Sequence, residues 1–136
     1  MTESAAAAKR VSSQQLEAFI ARALVAVGIS GAESASIAEL MARADLNGAD
    51  GHGVFRLPQY VRRIKGGAVN LRPDIRVERE APGMALIDGD NGMGHLVMRF
   101  ATEKAIEKAK HAGVAWVGVK WSNHAGPASL YAGMPV

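Results

Sequence analysis

The 136 residues contain no cysteine. That absence removes disulfides, thiolate zinc sites and cysteine nucleophiles together, and it matches a reducing compartment, so the expected location is the cytoplasm. Aromatic residues make up only 5% of the chain, with two Trp, two Tyr and three Phe, which leaves few platforms on which bases could stack. No stretch approaches the roughly 18 uncharged apolar residues of a membrane span. The first ten residues hold an alanine run at 5–8 followed by Lys9 and Arg10, and lack the order of basic then apolar segments found in a secretory signal. The net charge is +3, but the basic residues are scattered and the one cluster is Arg62, Arg63 and Lys65. Neither nucleic acid nor membrane is expected as a partner; a small anion suits this charge better. A hydrophobic share of 49% and a charged share of 21% are those of an ordinary soluble globular chain.

What is present divides near residue 71. Before it, local signals are helical. Ser12 reads as an N-cap with Gln15 as its capping-box partner, and Leu16, Phe19, Ile20, Ala23, Leu24 and Val27 follow at helical spacing to Gly28. Ser30 with Glu33 repeats the signal ahead of Ile37, Leu40, Met41 and Ala44, and Asn47-Gly48 ends that run. Pro58 suits the first turn of a third helix carrying Leu57, Val61 and Ile64, closed by Gly66-Gly67. Residues 1–70 are therefore expected to form a helical subdomain. Residues 71–136 change character: a strand around Ile75-Arg76-Val77-Glu78, a Pro82-Gly83 turn, a strand at 84–87, a helix from Leu96 to Ala109, and an apolar run at 114–119 that reads as a buried strand. The expected class is α/β (α+β), a helical subdomain followed by the start of an α/β domain.

Several motifs fail on inspection. Asp45-Leu46-Asn47-Gly48-Ala49-Asp50 opens like a calcium loop, yet its sixth position is Asp50 instead of glycine and its twelfth is Arg56 instead of glutamate. Gly89-Asp90-Asn91-Gly92-Met93-Gly94 reads G-x-x-G-x-G, which is not the dinucleotide fingerprint, and it is expected to be a tight connection. The four histidines show no compact ligand spacing, so no metal site is expected. His95 and His111 fall at the two ends of the fourth helix and read as solvated. His52 lies between glycines four residues before Arg56, and spacing alone leaves open whether it caps a helix or does chemistry. His124 follows a strand, at the carboxyl end where α/β proteins place ligands.

Three segments carry a resemblance. Asp50-Gly51-His52-Gly53-Val54-Phe55-Arg56-Leu57-Pro58-Gln59-Tyr60, Ile87-Asp88-Gly89-Asp90-Asn91-Gly92-Met93-Gly94 and Ser122-Asn123-His124-Ala125-Gly126 resemble, in order and spacing, the signature segments of the malate/L-lactate dehydrogenase-like oxidoreductases. That family includes malate, sulfolactate, ureidoglycolate and diketogulonate dehydrogenases and a cyclic imino-acid reductase, and its fold is not the Rossmann fold. The resemblance implies NAD or NADP as cofactor, a 2-oxo or 2-hydroxy acid as substrate, and a homodimer. It implies that His52 and His124 face substrate and nicotinamide, one of them exchanging the proton, and that Arg56, holding the substrate carboxylate, and Tyr60, one turn further along the same face, bind the substrate. The chain departs from the family pattern at Gly51, usually serine, and at Ala125, often phenylalanine or serine, which bears on substrate identity. Family members are longer and carry most cofactor contacts in the remainder. With the helix opened by Pro127 only a few residues long at Val136, this chain is expected to be an amino-terminal portion that is inactive alone. The competing reading is a non-catalytic helical interaction module using Arg62, Arg63 and Lys65.

Overall fold

The computed structural model describes residues 10–135; the alanine run at 5–8 lies outside the described residues. Helix α1 spans Ser13–Val25, and its Ser12 cap makes both bonds of the capping box: Gln15 N–H donates to Ser12 Oγ at 3.2 Å and Ser12 N–H to Gln15 Oε1 at 3.2 Å. Helix α2 spans Gly31–Leu46. Its Ser30 cap departs from the same box: the hydroxyl accepts from Glu33 N–H and donates to the Glu33 carboxylate at 2.6 Å, in place of a bond from the Ser30 N–H. Two 3₁₀ turns, Asp50–His52 and Val54–Arg56, lead into helix α3, Leu57–Lys65. Ile20, Leu24, Ile37, Met41, Leu57, Tyr60 and Ile64 form the core among these helices.

The second half is a three-stranded sheet in the order β1 (Arg76–Ala81), β2 (Met84–Gly92), β3 (Trp116–Ser122). Strands β1 and β2 form an antiparallel hairpin, with Ala81 opposite Met84. Strands β2 and β3 are parallel, with Ile87 opposite Val119, and helix α4 (Gly94–Ala112) makes the crossover. The mixed helix and sheet class is as the sequence implies. Ala85, Ile87, Val97 and Ala101 pack between the sheet and α4.

The apolar run at 114–119 is not a buried strand. Pairing starts at Trp116, β3 forms the sheet edge, and its residues are half-buried or exposed, because a sheet covered by one helix leaves its other face and its edge to solvent. Nor is Gly89–Gly92 a simple connection: β2 continues through it, with Asp90 and Asn91 in left-handed backbone. A short helix α5, Ser129–Ala132, buries Leu130 and Tyr131 against Leu40 and Ala44 of α2. Leu40 with Leu130, and Met93 with the α1–α3 core, tie the helices to the sheet half on both sides of residue 71. Among the described residues no helix is long and apolar enough to cross a membrane.

Candidate active site

The loop between α2 and α3 is fastened from one side chain. Asp45, in the last turn of α2, accepts the Val54 N–H at 2.8 Å. A Cβ on Gly53 would fall inside the Asp45 carboxylate, so only glycine lets the chain come this close. That bond sets where the second 3₁₀ turn begins, and so where His52 and Arg56 stand. His52 does not cap α3; its ring stacks on His124 with centroids 5.7 Å apart and planes 15° from parallel. The Arg56 guanidinium is partly spent locally: Nε donates to Gly51 O at 2.7 Å and Nη1 to Gln59 Oε1 at 2.8 Å. Its Nη2 has no partner among the described residues.

Because the 3₁₀ turn runs directly into α3, Tyr60 follows Arg56 by one turn, as the spacing implies. Tyr60 is 4% exposed. Its hydroxyl lies 2.7 Å from His124 Nδ1, a bond across 64 residues of sequence. Burial pushes the Tyr60 pKa up to about 12, against the opposing pull of Arg56, so the phenol keeps its proton.

His124 is placed by its neighbour. Asn123 Nδ2 donates to Asn91 O at 2.9 Å and to Gly92 O at 3.0 Å, while its Oδ1 accepts from Arg63 Nη2 at 2.9 Å. One amide thus joins the carboxyl end of β2 to α3 and holds the loop leaving β3. Trp121, just before it, sits in left-handed backbone at φ 51°, an unusual state for so bulky a residue, at the point where the strand turns toward His124. Partial desolvation, then the positive charges of Arg56 and a protonated His52, hold the His124 pKa below the ordinary histidine value.

His95 overturns its sequence reading. Far from solvated, it is 0% exposed, in the first turn of α4, with its ring edge-on to Tyr60 at 5.6 Å between centroids. Neither ring nitrogen has a hydrogen-bond partner among the described residues. Burial, and then the charge of His124, press its pKa down to about 3, so it is neutral at any ordinary pH. His111, by contrast, is exposed at the end of α4. Its neighbour along the helix, Met98, is only partly buried, so the position gave little local signal of burial. Asp45 and Asn123 carried no local signal either, since their roles arise only when distant segments meet.

The glycines of 89–94 sit where segments of the chain approach each other closely. A Cβ at Gly89 would lie 2.7 Å from Trp121 O and one at Gly92 2.8 Å from Pro73 Cγ, while at Gly94 it would strike the Asn123 and His124 carbonyls. At Gly89, Gly92 and Gly94 the absence of a side chain lets segments of the chain pack closely on each other.

His124, the His52 ring stacked on it and the Arg56 guanidinium therefore lie near one another, backed by the buried Tyr60 phenol. The family model for malate/L-lactate dehydrogenases matches residues 11–136. The chain belongs to the malate/L-lactate dehydrogenase family. It is 45% identical to the malate dehydrogenase of Pyrococcus horikoshii over 90% of this chain and 34% of that protein. It is 40% identical to the L-sulfolactate dehydrogenase of Methanothermobacter thermautotrophicus, over 93% and 37% respectively. The solved Pyrococcus horikoshii OT3 malate dehydrogenase superposes with a TM-score of 0.88 at 44% identity, covering 91% of this chain and 36% of that one. The chain thus spans about a third of the length of the family members it matches.

Proposed function

We propose that this chain is the proton- and carboxylate-handling segment of an NAD(P)-dependent oxidoreductase that interconverts a 2-oxo acid, or a related cyclic imino acid, with its reduced form. The observation that carries the reading is the Tyr60 hydroxyl on His124 Nδ1 beside His52 and Arg56. With Nδ1 engaged, the other ring nitrogen, Nε2, is left for a substrate oxygen. In the reducing direction the protonated ring donates from Nε2 to the carbonyl oxygen and gives up that proton as negative charge grows there; in reverse, the neutral ring accepts it. Arg56 holds the carboxylate through the N–H groups its local bonds leave free, where a planar guanidinium can meet both oxygens at once. A nicotinamide dinucleotide, when bound, supplies or takes the hydride. His52 is stacked on the ring that carries Nε2. Tyr60 supports the reaction from behind, by orienting His124.

Two features of the site argue against a non-catalytic interaction module. Arg63, one of the three clustered basic residues, is engaged internally on Asn123, and the histidines converge from segments far apart in sequence.

The decisive experiment grafts this segment in place of the corresponding third of the Pyrococcus horikoshii malate dehydrogenase and compares His124→Asn with His52→Asn. His124→Asn should lower kcat by about 10²–10⁴-fold, because asparagine cannot shuttle the proton. Oxidation by the unsubstituted graft should rise with pH through a midpoint below the ordinary histidine range, and reduction should fall through it. If His52→Asn abolishes turnover while His124→Asn leaves it intact, the proton belongs to His52. If neither matters, the histidine mechanism is wrong.

A further inference from the structure

The pair Asn47-Gly48, which ends α2, occurs a second time in the chain as Asn91-Gly92, and the fold treats the two copies differently. Asparagine is a thermolabile residue, most of all before glycine. The glycine backbone nitrogen attacks the side-chain carbon Cγ, the bond from Cγ to Nδ2 breaks, and ammonia leaves behind a cyclic succinimide. Water then opens that ring at either carbonyl, giving aspartate, or isoaspartate in which the main chain runs through the former side chain. Water is the only co-reactant, and nothing is oxidised or reduced. The reaction needs the backbone to turn until the glycine nitrogen meets Cγ, so its rate follows how readily that local opening occurs.

At Asn47 little opposes the opening. Asn47 is the C-cap of α2, with φ −84° and ψ 5°, and Gly48 follows in left-handed backbone at φ 75°. The Gly48 N–H donates to Asp45 O at 3.0 Å and the Ala49 N–H to Ala44 O at 2.8 Å, the pairing of a Schellman cap. Both residues of the pair are exposed, the Asn47 amide makes no hydrogen bond among the described residues, and helix ends fray. Asn91 also reaches solvent, but it is tied down. Its Nδ2 donates to Ala68 O at 3.2 Å, its Oδ1 accepts from Asn123 Nδ2 at 3.0 Å, and its carbonyl accepts from the Asn70 N–H at 3.0 Å. Gly92 is buried, its carbonyl accepts from Asn123 Nδ2 at 3.0 Å, and a Cβ on it would lie 2.8 Å from Pro73 Cγ. Bringing the Gly92 nitrogen onto Asn91 Cγ breaks these contacts together.

We propose that Asn47-Gly48 is a site of spontaneous deamidation in the folded protein, that Asn91-Gly92 is protected from it, and that isoaspartate at position 47 releases the loop carrying His52. Isoaspartate lengthens the main chain by a methylene between positions 47 and 48, so the cap bonds to Ala44 and Asp45 cannot both be kept. The span from position 47 to His52 joins α2 to the first 3₁₀ turn, and Asp45 on its near side holds the Val54 N–H on its far side at 2.8 Å. Lengthening the span works against that bond, which sets where His52 and Arg56 stand. The new carboxylate also falls at the negative end of the α2 dipole, where a further anion is unfavourable. His124 is held from α3 through Tyr60 and from β2 through Asn123, and His95 lies in α4, so neither depends on the span. The inference does not depend on which histidine exchanges the proton.

The test ages the 136-residue chain in mildly alkaline buffer, folded and in urea, and follows both pairs in one tryptic digest. Cleavage after Arg43 and Arg56 isolates Asn47, and cleavage after Arg79 and Arg99 isolates Asn91. Mass spectrometry reads the loss of each amide, and methyl transfer by an isoaspartyl methyltransferase reads the isoaspartyl share. In the folded chain Asn47 should convert at least about tenfold faster than Asn91, because more hydrogen bonds must open together at the second pair. In urea the two rates should converge. Equal rates in the folded chain, an Asn47 amide that persists when folded yet converts in urea, or a gap that survives in urea would each overturn the assignment. The isoaspartyl chain, separated by ion exchange, then reports on the site through histidine-resolved NMR. The His52 signal should be displaced from that of fresh chain and the His95 signal unmoved. An unchanged His52 signal rejects release of the loop, and a His95 signal that moves as far as that of His52 shows general unfolding in its place. Asn47→Gln, aged alongside, should keep the His52 signal of fresh chain; the same displacement in that variant would put the damage elsewhere and overturn the role given to position 47.

Discussion

Ile37 on α2 and Trp116 on β3 are both bulky apolar side chains on regular secondary structure, yet Ile37 is 0% exposed and Trp116 74%. The helical region closes on itself: α1 and α2 face each other, and α3 covers the remaining side. The sheet region does not. Helix α4 covers one face of three strands, and β3 has a hydrogen-bonded neighbour on one side only. The candidate site lies where the two regions meet, drawing His52, Arg56 and Tyr60 from the closed part and His124 from the loop after the open edge. The loop that carries His124 is anchored from the closed side by Arg63, through Asn123, and by Tyr60.

The sharpest way to break the contrast is to remove bulk on the closed side. Ile37→Ala should destabilise the chain by about 2–5 kcal/mol, measured by urea unfolding, because the removed atoms leave a cavity that surrounding helices cannot fill. A loss below about 1 kcal/mol would mean that the α1–α2 core collapses easily and is no more rigid than the sheet edge.

A smaller effect comes from the meeting line itself. His95 has a folded pKa of about 3, below its ordinary value, so it contributes stability that is complete above the ordinary histidine pKa and is lost as pH falls. The sign follows because the unfolded chain takes up the proton first, and acid then favours unfolding by up to about 1.4 kcal/mol per pH unit. The window runs from near neutrality down toward about pH 3. Between about pH 7.5 and pH 5, His95→Phe should therefore lose about 1–2 kcal/mol less stability than the unsubstituted chain. Carboxylates titrate in both proteins and largely cancel. Equal losses in the two would show that His95 can reach water or protonate in place.

Local chemistry was readable in the sequence, and long-range placement was not. The Ser12–Gln15 box, the Pro58 helix start and the glycine stops depend on residues within one turn of each other, and each is found where spacing puts it. The shared face of Arg56 and Tyr60 is legible for the same reason. His95 was misread because a histidine in the first turn of a helix is usually wet, and only the approach of Tyr60 and Gly126 seals it in. The run at 114–119 was misread because an apolar strand looks the same whether it lies at the centre or the edge of a sheet; strand order decides, and no local pattern encodes it. The bond from Asp45 to Val54 depends on a turn that reverses the chain after α2, and Asp45 drew attention only as part of a failed calcium loop.

The weakest effect is expected at the open edge. Trp116 pairs in register with Met84, and both side chains are largely exposed. Trp116→Thr keeps a residue with good strand propensity and leaves the backbone bonds of β3 to β2 intact. The change in unfolding free energy should stay within about 0.5 kcal/mol, as for surface substitutions away from packed contacts. What should change is self-association, because Val114, Trp116 and Trp121 leave large apolar side chains in water on or next to an unpaired strand edge. Sedimentation velocity across a concentration series should show less self-association for Trp116→Thr than for the unsubstituted chain. If the substitution instead costs more than about 1 kcal/mol, Trp116 is packed in solution and the contrast between the closed helices and the open edge is smaller than the exposures indicate.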